Sequence, residues 1–93
     1  MELLSLVKKA LSIVETSTIK DSEIEMWINA GIKDLSRQGI KYLEADALIQ
    51  SAIVMYVKSN FGNVDIKEKE LSQKAYNILC SNLGLSLEYR VVE

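Results

Sequence analysis

The 93-residue chain contains no histidine and no proline, and it has one cysteine, one tryptophan and one phenylalanine. Without histidine it lacks the commonest general base at neutral pH and the commonest neutral metal ligand. A single thiol, Cys80, closes no internal disulfide, which excludes the stapled scaffolds of small secreted domains. Excess charge of either sign is also missing: eleven Lys and Arg against thirteen Asp and Glu leave a net −2. A dedicated nucleic-acid binder normally carries a basic excess. No long hydrophobic run occurs. The longest, Ala52 to Val57, covers under two helical turns, where a spanning helix needs about 20 residues. No signal peptide is recognisable, because Glu2, Lys8 and Lys9 interrupt the apolar opening. The reading is of a chain that stays in the cytoplasm where it is made.

What is present reads as one small all-α domain. Hydrophobic residues make up 48% and charged residues 26%, an ordinary globular balance. Leu3, Leu4, Val7, Ala10 and Leu11 fall on one helical face. After a polar stretch at 15–20, Ile24, Trp27, Ile28, Ile32 and Leu35 form a second stripe. That stripe starts at Asp21 or Ser22, with Ser22 and Glu25 spaced as a capping box. A third block from Asp46 to Phe61 is apolar nearly all round, as expected of a central helix covered on most sides. The fourth begins near Asp65, where Asp65 and Glu68 repeat the capping spacing, and directs Leu71, Ala75, Tyr76, Ile78, Leu79 and Leu83 inward. Gly39, Gly62 and Gly84 follow these stretches where helices should stop. Acidic residues at the block starts and basic residues late in the first three agree with the helix dipole.

Beyond Gly84 the pattern changes to a period of two: Leu85, Leu87, Tyr89 and Val91 alternate with Ser86, Glu88, Arg90 and Val92. One strand makes no sheet by itself. Such a segment either stays a loosely ordered arm or pairs with something outside the domain. The expected architecture is a compact four-helix domain over residues 1–84 with an extended C-terminal arm over residues 85–93.

Little in the chain carries chemistry. No G-x-S-x-G elbow, phosphate-binding loop or nucleophile–base pair is visible, so neither an enzyme nor a cofactor is expected. Cys80 late in the fourth helix reads as a small semi-buried hydrophobe. Asp65, Glu68 and Glu70 read as a solvated helix start, lacking the ligand spacing of a calcium loop. In a helix-turn-helix arrangement the third block would be the recognition helix, yet it offers Ile49, Ile53, Met55, Tyr56 and Val57 with Lys58 as its one cation. Trp27 belongs to the core stripe. Tyr42 and Leu43, in the polar connection after Gly39, are candidates for contact with a partner.

The order of motifs resembles a known family. Leu4-Ser-Leu-Val-Lys-Lys-Ala-Leu11 is followed by an acidic-start helix with Trp27-Ile-Asn-Ala-Gly-Ile-Lys-Asp-Leu35, ending at Arg37-Gln-Gly39-Ile40. An aspartate-capped helix runs from Asp46 to Gly62, and the chain closes with Tyr76-Asn-Ile-Leu and Leu83-Gly-Leu-Ser-Leu-Glu-Tyr-Arg90. This is similar to the small head–tail connector proteins of long-tailed bacteriophages and prophages, also called DNA-packaging or head-completion proteins. The likeness spans essentially the whole chain. The family usually has proline where this chain has Ala47, and alanine where it has Gly31.

The resemblance implies a structural virion protein at the head–tail junction. Its copies would form a ring under the portal that extends the DNA channel and docks the next connector or the tail. The implied partners are further copies of the chain, the portal protein and a downstream connector or tail protein, with DNA only as passing cargo and no membrane. The residues expected to meet partners are Tyr42, Leu43, Leu85, Leu87, Tyr89, Arg90 and Val91. The competing reading is a small helical DNA-binding regulator.

Overall fold

A computed structural model describes residues 2–14, 16–62 and 64–90. They form four helices: α1 (Glu2–Ala10), α2 (Asp21–Arg37), α3 (Ala47–Asn60) and α4 (Ile66–Leu85). The described residues contain no strand, so the all-α expectation holds. As its composition suggests, α3 is central and packs against each of the other three helices. It buries Ile49, Ala52, Ile53 and Val57, while Leu48 at its start stays half exposed. Leu3 and Val7 of α1, Ile24, Ile28 and Leu35 of α2, and Tyr76, Cys80 and Leu83 of α4 complete the core with Ile40, Phe61 and Tyr89.

Helix ends follow local backbone chemistry. At the end of α2, the Gly39 N–H donates to Ser36 O (3.0 Å) and the Ile40 N–H to Leu35 O (2.9 Å). This pair of bonds is a Schellman closure, which needs a left-handed residue. Gly39 supplies it at φ +78°, and Ile40 and Leu35, at the two positions that usually form the motif's apolar contact, are both buried. The same closure ends α1, where Ile13 N–H donates to Lys8 O (2.8 Å) and Ser12 N–H to Lys9 O (3.1 Å). Here the left-handed residue is Ser12, at φ 60°. No glycine marks that end in the sequence. Gly84, by contrast, stops nothing: α4 continues through it to Leu85.

Two expected capping boxes are absent. Helix α2 begins at Asp21, two residues before the start that a Ser22 N-cap would give. Lys20 is its N-cap, with no side-chain cap bond, and Ile24 N–H donates to Lys20 O (3.0 Å). Lys8 helps to set that start. It lies in the last turn of α1, as the dipole argument has it, but it is buried: its ammonium stands 3.0 Å from Asp21 Oδ1 and donates to the Ser17 carbonyl. At α4, Asp65 is the N-cap but accepts no cap bond through its side chain. Glu68 reaches Lys58 Nζ instead (2.7 Å), joining the end of α3 to the start of α4. The α3 cap is the one that forms as expected, with Asp46 Oδ1 accepting from Leu48 N (2.9 Å) and Ile49 N (3.2 Å). These bonds satisfy two of the free amides at the helix start.

The inward stripe of α4 also differs from the expected one. Ser72, Tyr76, Cys80 and Leu83 face the core, whereas Leu71 and Ile78 are 56% and 64% exposed. Hydrophobicity alone points to the leucines. The packed face instead follows Tyr76, whose phenol has a partner on α2.

Gly31 allows α2 to lie close to α3. A Cβ at this buried position would stand 3.1 Å from Tyr56 Cδ2 and 3.3 Å from Ile53 Cδ1. The Tyr56 ring packs against Trp27 and Tyr76, with centroids 6.5 and 5.2 Å apart, so its room to yield is limited. Gly31→Ala therefore sets a helix-propensity gain of about 1 kcal/mol against crowding. Its stability in urea denaturation is expected within about 1 kcal/mol of the parent. Gly31→Leu is expected to lose about 1–3 kcal/mol through overpacking.

Candidate assembly surface

Two segments distant in sequence meet at the N-terminal end of α3. The connection 40–46 and the closing segment 86–90 are joined by an isolated antiparallel bridge between Ile40 and Arg90. The Lys41 N–H donates to Tyr89 O (2.6 Å). The Tyr89 hydroxyl donates to Asp46 Oδ2 (2.8 Å), while the other oxygen of that carboxylate caps α3. Asp46 thus serves the helix start and the tail together.

This geometry corrects the expectation that the alternating tail is either loose or paired outside the domain. As far as Arg90 it has a partner within the chain, and Leu85 belongs to α4 rather than to an arm. A period of two records which side chains share a face. It carries no information about whose backbone lies opposite.

The seven residues expected to meet partners therefore separate. Leu85 and Leu87 are 83% and 75% exposed, Leu43 is 37% exposed, and Arg90 is exposed. Tyr42 is half-buried against the core, where burial, then the nearby Glu44, holds its pKa above the usual phenol value. Tyr89 is buried and acts as an anchor of the tail. Val91 lies outside the described residues.

The anchor has an electrostatic consequence. The hydrogen bond from Tyr89, with those from the Ile49 and Leu48 amides, holds the Asp46 pKa below its ordinary value against the opposing effect of burial. A carboxylate with a depressed folded-state pKa contributes stability above its unfolded pKa, and that contribution is lost as pH falls through the folded one. Tyr89→Phe removes the largest cause. It is expected to raise the Asp46 pKa in an NMR titration and to move the loosening of the tail to higher pH. An unchanged Asp46 titration would show that the phenol does not hold this carboxylate.

A second tie crosses the interior. Tyr76 Oη donates to Asp34 Oδ2 (2.6 Å), a carboxylate that also accepts from Arg37 (2.6 Å) and Gln38 (2.8 Å). Burial, then this hydrogen bond, drives the Tyr76 pKa far up, so the phenol remains a donor. Burial also raises the Cys80 thiol, although hydrogen bonding with Tyr76 and Gln38 opposes it. A protonated, buried thiol is a poor nucleophile, which agrees with the packing role read from the sequence.

Two apolar residues expected to face inward, Leu71 and Ile78, are surface features instead, in line with the exposed Leu85. Leu71, Ile78 and Leu85 recur every seven positions on the outer side of α4, and that spacing is visible in the sequence. Elsewhere Leu6, Lys9, Ala10, Ser51, Val54 and Met55 line a shallow groove of about 420 Å³ between α1 and α3. It contains no paired titratable groups of the kind an acid–base site requires. Among the described residues, no three His, Cys, Asp or Glu side chains could together hold a metal ion. None of the described helices is long and apolar enough to cross a membrane. Nor does α3 present a basic recognition face, since its apolar side is buried and Lys58 is paired with Glu68.

Comparison with known proteins adds one finding. A family model described as "Phage connector protein" matches residues 3–90. No curated protein and no solved structure matches the chain.

Proposed function

The chain belongs to the phage connector protein family, a family of structural virion components, and from that premise we propose that it is a head–tail connector subunit. Its copies form a ring under the portal, extend the DNA channel and offer a docking surface to the next connector or the tail. The family match, which covers nearly the whole chain, carries this reading. Three features of the molecule support it.

The interior side chains are committed to packing and to interhelical ties such as Tyr76–Asp34 and Lys58–Glu68. Leu43, Leu87 and Arg90 are exposed around the tail anchor at one end of the molecule, where a partner can reach them without disturbing the core. The net −2 suits a ring that lets DNA pass, because a basic lining would bind the phosphate backbone. Closure of a ring from identical copies requires a heterologous contact, one face of a subunit against a different face of the next.

The test is native mass spectrometry and negative-stain imaging of the chain with and without its matching portal protein. A small free species that becomes a ring only on the portal is the expected result. Leu43→Glu with Leu87→Glu is expected to leave the circular dichroism spectrum intact and to abolish ring formation. Wild-type chain that never associates with the portal would refute the reading. A salt-dependent shift of duplex DNA by the free domain would instead favour a DNA-binding regulator.

A further inference from the structure

The closing segment is held by one short stretch of the chain and reaches it through a turn that its own residues do not favour. Its ties fall on residues 40–46. They are the bridge of Arg90 to Ile40, the Lys41 N–H on Tyr89 O (2.6 Å) and the Tyr89 hydroxyl on Asp46 Oδ2 (2.8 Å). Between α4 and this anchor stand Ser86, Leu87 and Glu88, folded into a tight turn that the Tyr89 N–H closes on Ser86 O (3.1 Å). Leu87 and Glu88 occupy the centre of the turn, where Gly, Asn, Asp or Pro is usual. Both are exposed, so burial does not hold them there. The alternation of residues 85–92 favours extended backbone instead. Local preference and the closed conformation therefore disagree at this hinge.

We propose that the closing segment exchanges between copies: the turn at 86–89 opens, and Tyr89 of one copy enters the seat at Lys41 and Asp46 of a second. The seat fits this occupant because the incoming segment is identical to the one it replaces. Each anchoring bond is remade, with Tyr89 donating to the partner's Asp46 and accepting from the N–H of the partner's Lys41. Only the hinge changes. A closed turn keeps the Cα atoms of its first and last residues within about 7 Å. Extended, Ser86 and Tyr89 stand about 10 Å apart, which carries the phenol off its own Asp46. A short connection whose residues oppose its closed form is a common setting for such exchange. The tail of the same chain is always near its seat, so exchange between free copies rises with protein concentration. Passed in one direction, from each copy to the next, the contact is heterologous, the kind a ring requires. In that respect the exchange deepens the connector reading and rests on it, while the opening of the hinge belongs to the free chain.

Mixing two variants of the full chain tests this, with the wild type as control because its Cys80 is buried. The bond from Lys41 to Tyr89 flanks Ile40 and Arg90, which makes them a non-hydrogen-bonded pair with Cα atoms about 4.5 Å apart, within disulfide reach. In a glutathione redox buffer, disulfides equilibrate and the best geometry prevails. There, at concentrations on the order of 0.1–1 mM, Ile40→Cys mixed with Arg90→Cys is expected to give a linked heterodimer. Its yield should be roughly tenfold that of either variant alone, or of Arg90→Cys mixed with Lys74→Cys on the exposed side of α4. Deleting Leu87 and Glu88 removes the reach to the chain's own seat. In sedimentation equilibrium that variant should have at least double the wild-type mass, with an unchanged helical spectrum. If Ile40→Cys loses its helical spectrum, the mass of the deletion variant decides alone. No heterodimer from two folded variants, equal linking to Lys74→Cys, or a folded deletion variant that stays monomeric would overturn the proposal. Neither experiment uses the portal, so a negative result here leaves the connector reading standing, and a wild type that ignores the portal leaves the exchange standing.

Discussion

Phe61→Ala is expected to cost about 3–5 kcal/mol, the range for removing a fully buried phenylalanine. Phe61 is 1% exposed and is the largest of the fully buried side chains. It sits at the C-cap of α3, its amide donating to Val57 O at 2.8 Å. The substitution keeps that backbone bond and empties the space beside the central helix, so the whole effect belongs to side-chain packing. A chain of this length has a total stability of roughly 5–14 kcal/mol. The midpoint of thermal unfolding should fall by about 15–30 °C. Urea denaturation followed by circular dichroism should show a lower midpoint at an unchanged slope. Phe61→Leu, which refills much of the volume, should recover most of the loss. A loss below about 1 kcal/mol for the alanine variant would place Phe61 outside the core.

Asp34→Ala should be the most costly polar substitution, at about 2–3 kcal/mol, and should exceed Tyr76→Phe at about 1–1.5 kcal/mol. The asymmetry comes from what is left behind. Removing the carboxylate strands a phenol on a residue only 2% exposed. Removing the phenol leaves Asp34 with Arg37 and Gln38 as donors. The double variant should cost less than the sum of the two, because no buried phenol is then left without an acceptor.

The pH dependence follows from the same tie. Burial raises the Asp34 pKa, but the bonds from Tyr76, Arg37 and Gln38 together outweigh it and hold the carboxyl below its ordinary value. Its contribution is therefore complete above the unfolded pKa of about 3.9 and disappears as pH falls through the lower folded value. Tyr76→Phe should reduce this acid dependence. Equal losses for the two single variants at every pH would contradict the assignment.

How much of the fold is legible in the sequence depends on the range of the interaction. Local rules served well at Gly39 and Asp46, where the residue type and its own neighbours determine the backbone bonds. They failed at Ser22, Asp65 and Gly84, each a suitable residue type at a suitable spacing. The start of α2 is set with the help of Lys8 on another helix. Glu68 finds Lys58 in preference to its own N-cap. Nothing at Gly84 requires a positive φ, so α4 runs on to Leu85. The inward face of α4 is not legible from hydrophobicity, because the exposed Leu71 and Ile78 are more apolar than the buried Ser72 and Cys80.

The sequence alone determined the helix count, the central place of α3 and the likeness to phage connectors. These depend on composition, periodicity and motif order, which are properties of the chain itself. Tertiary structure alone decided that Tyr76 reaches Asp34, that Tyr89 fastens the tail to Asp46, and that a leucine–isoleucine ridge is left outside. In each case the partner lies more than forty residues away or the outcome turns on which face another helix covers. Periodicity defines a face, but only the assembled bundle determines what covers it.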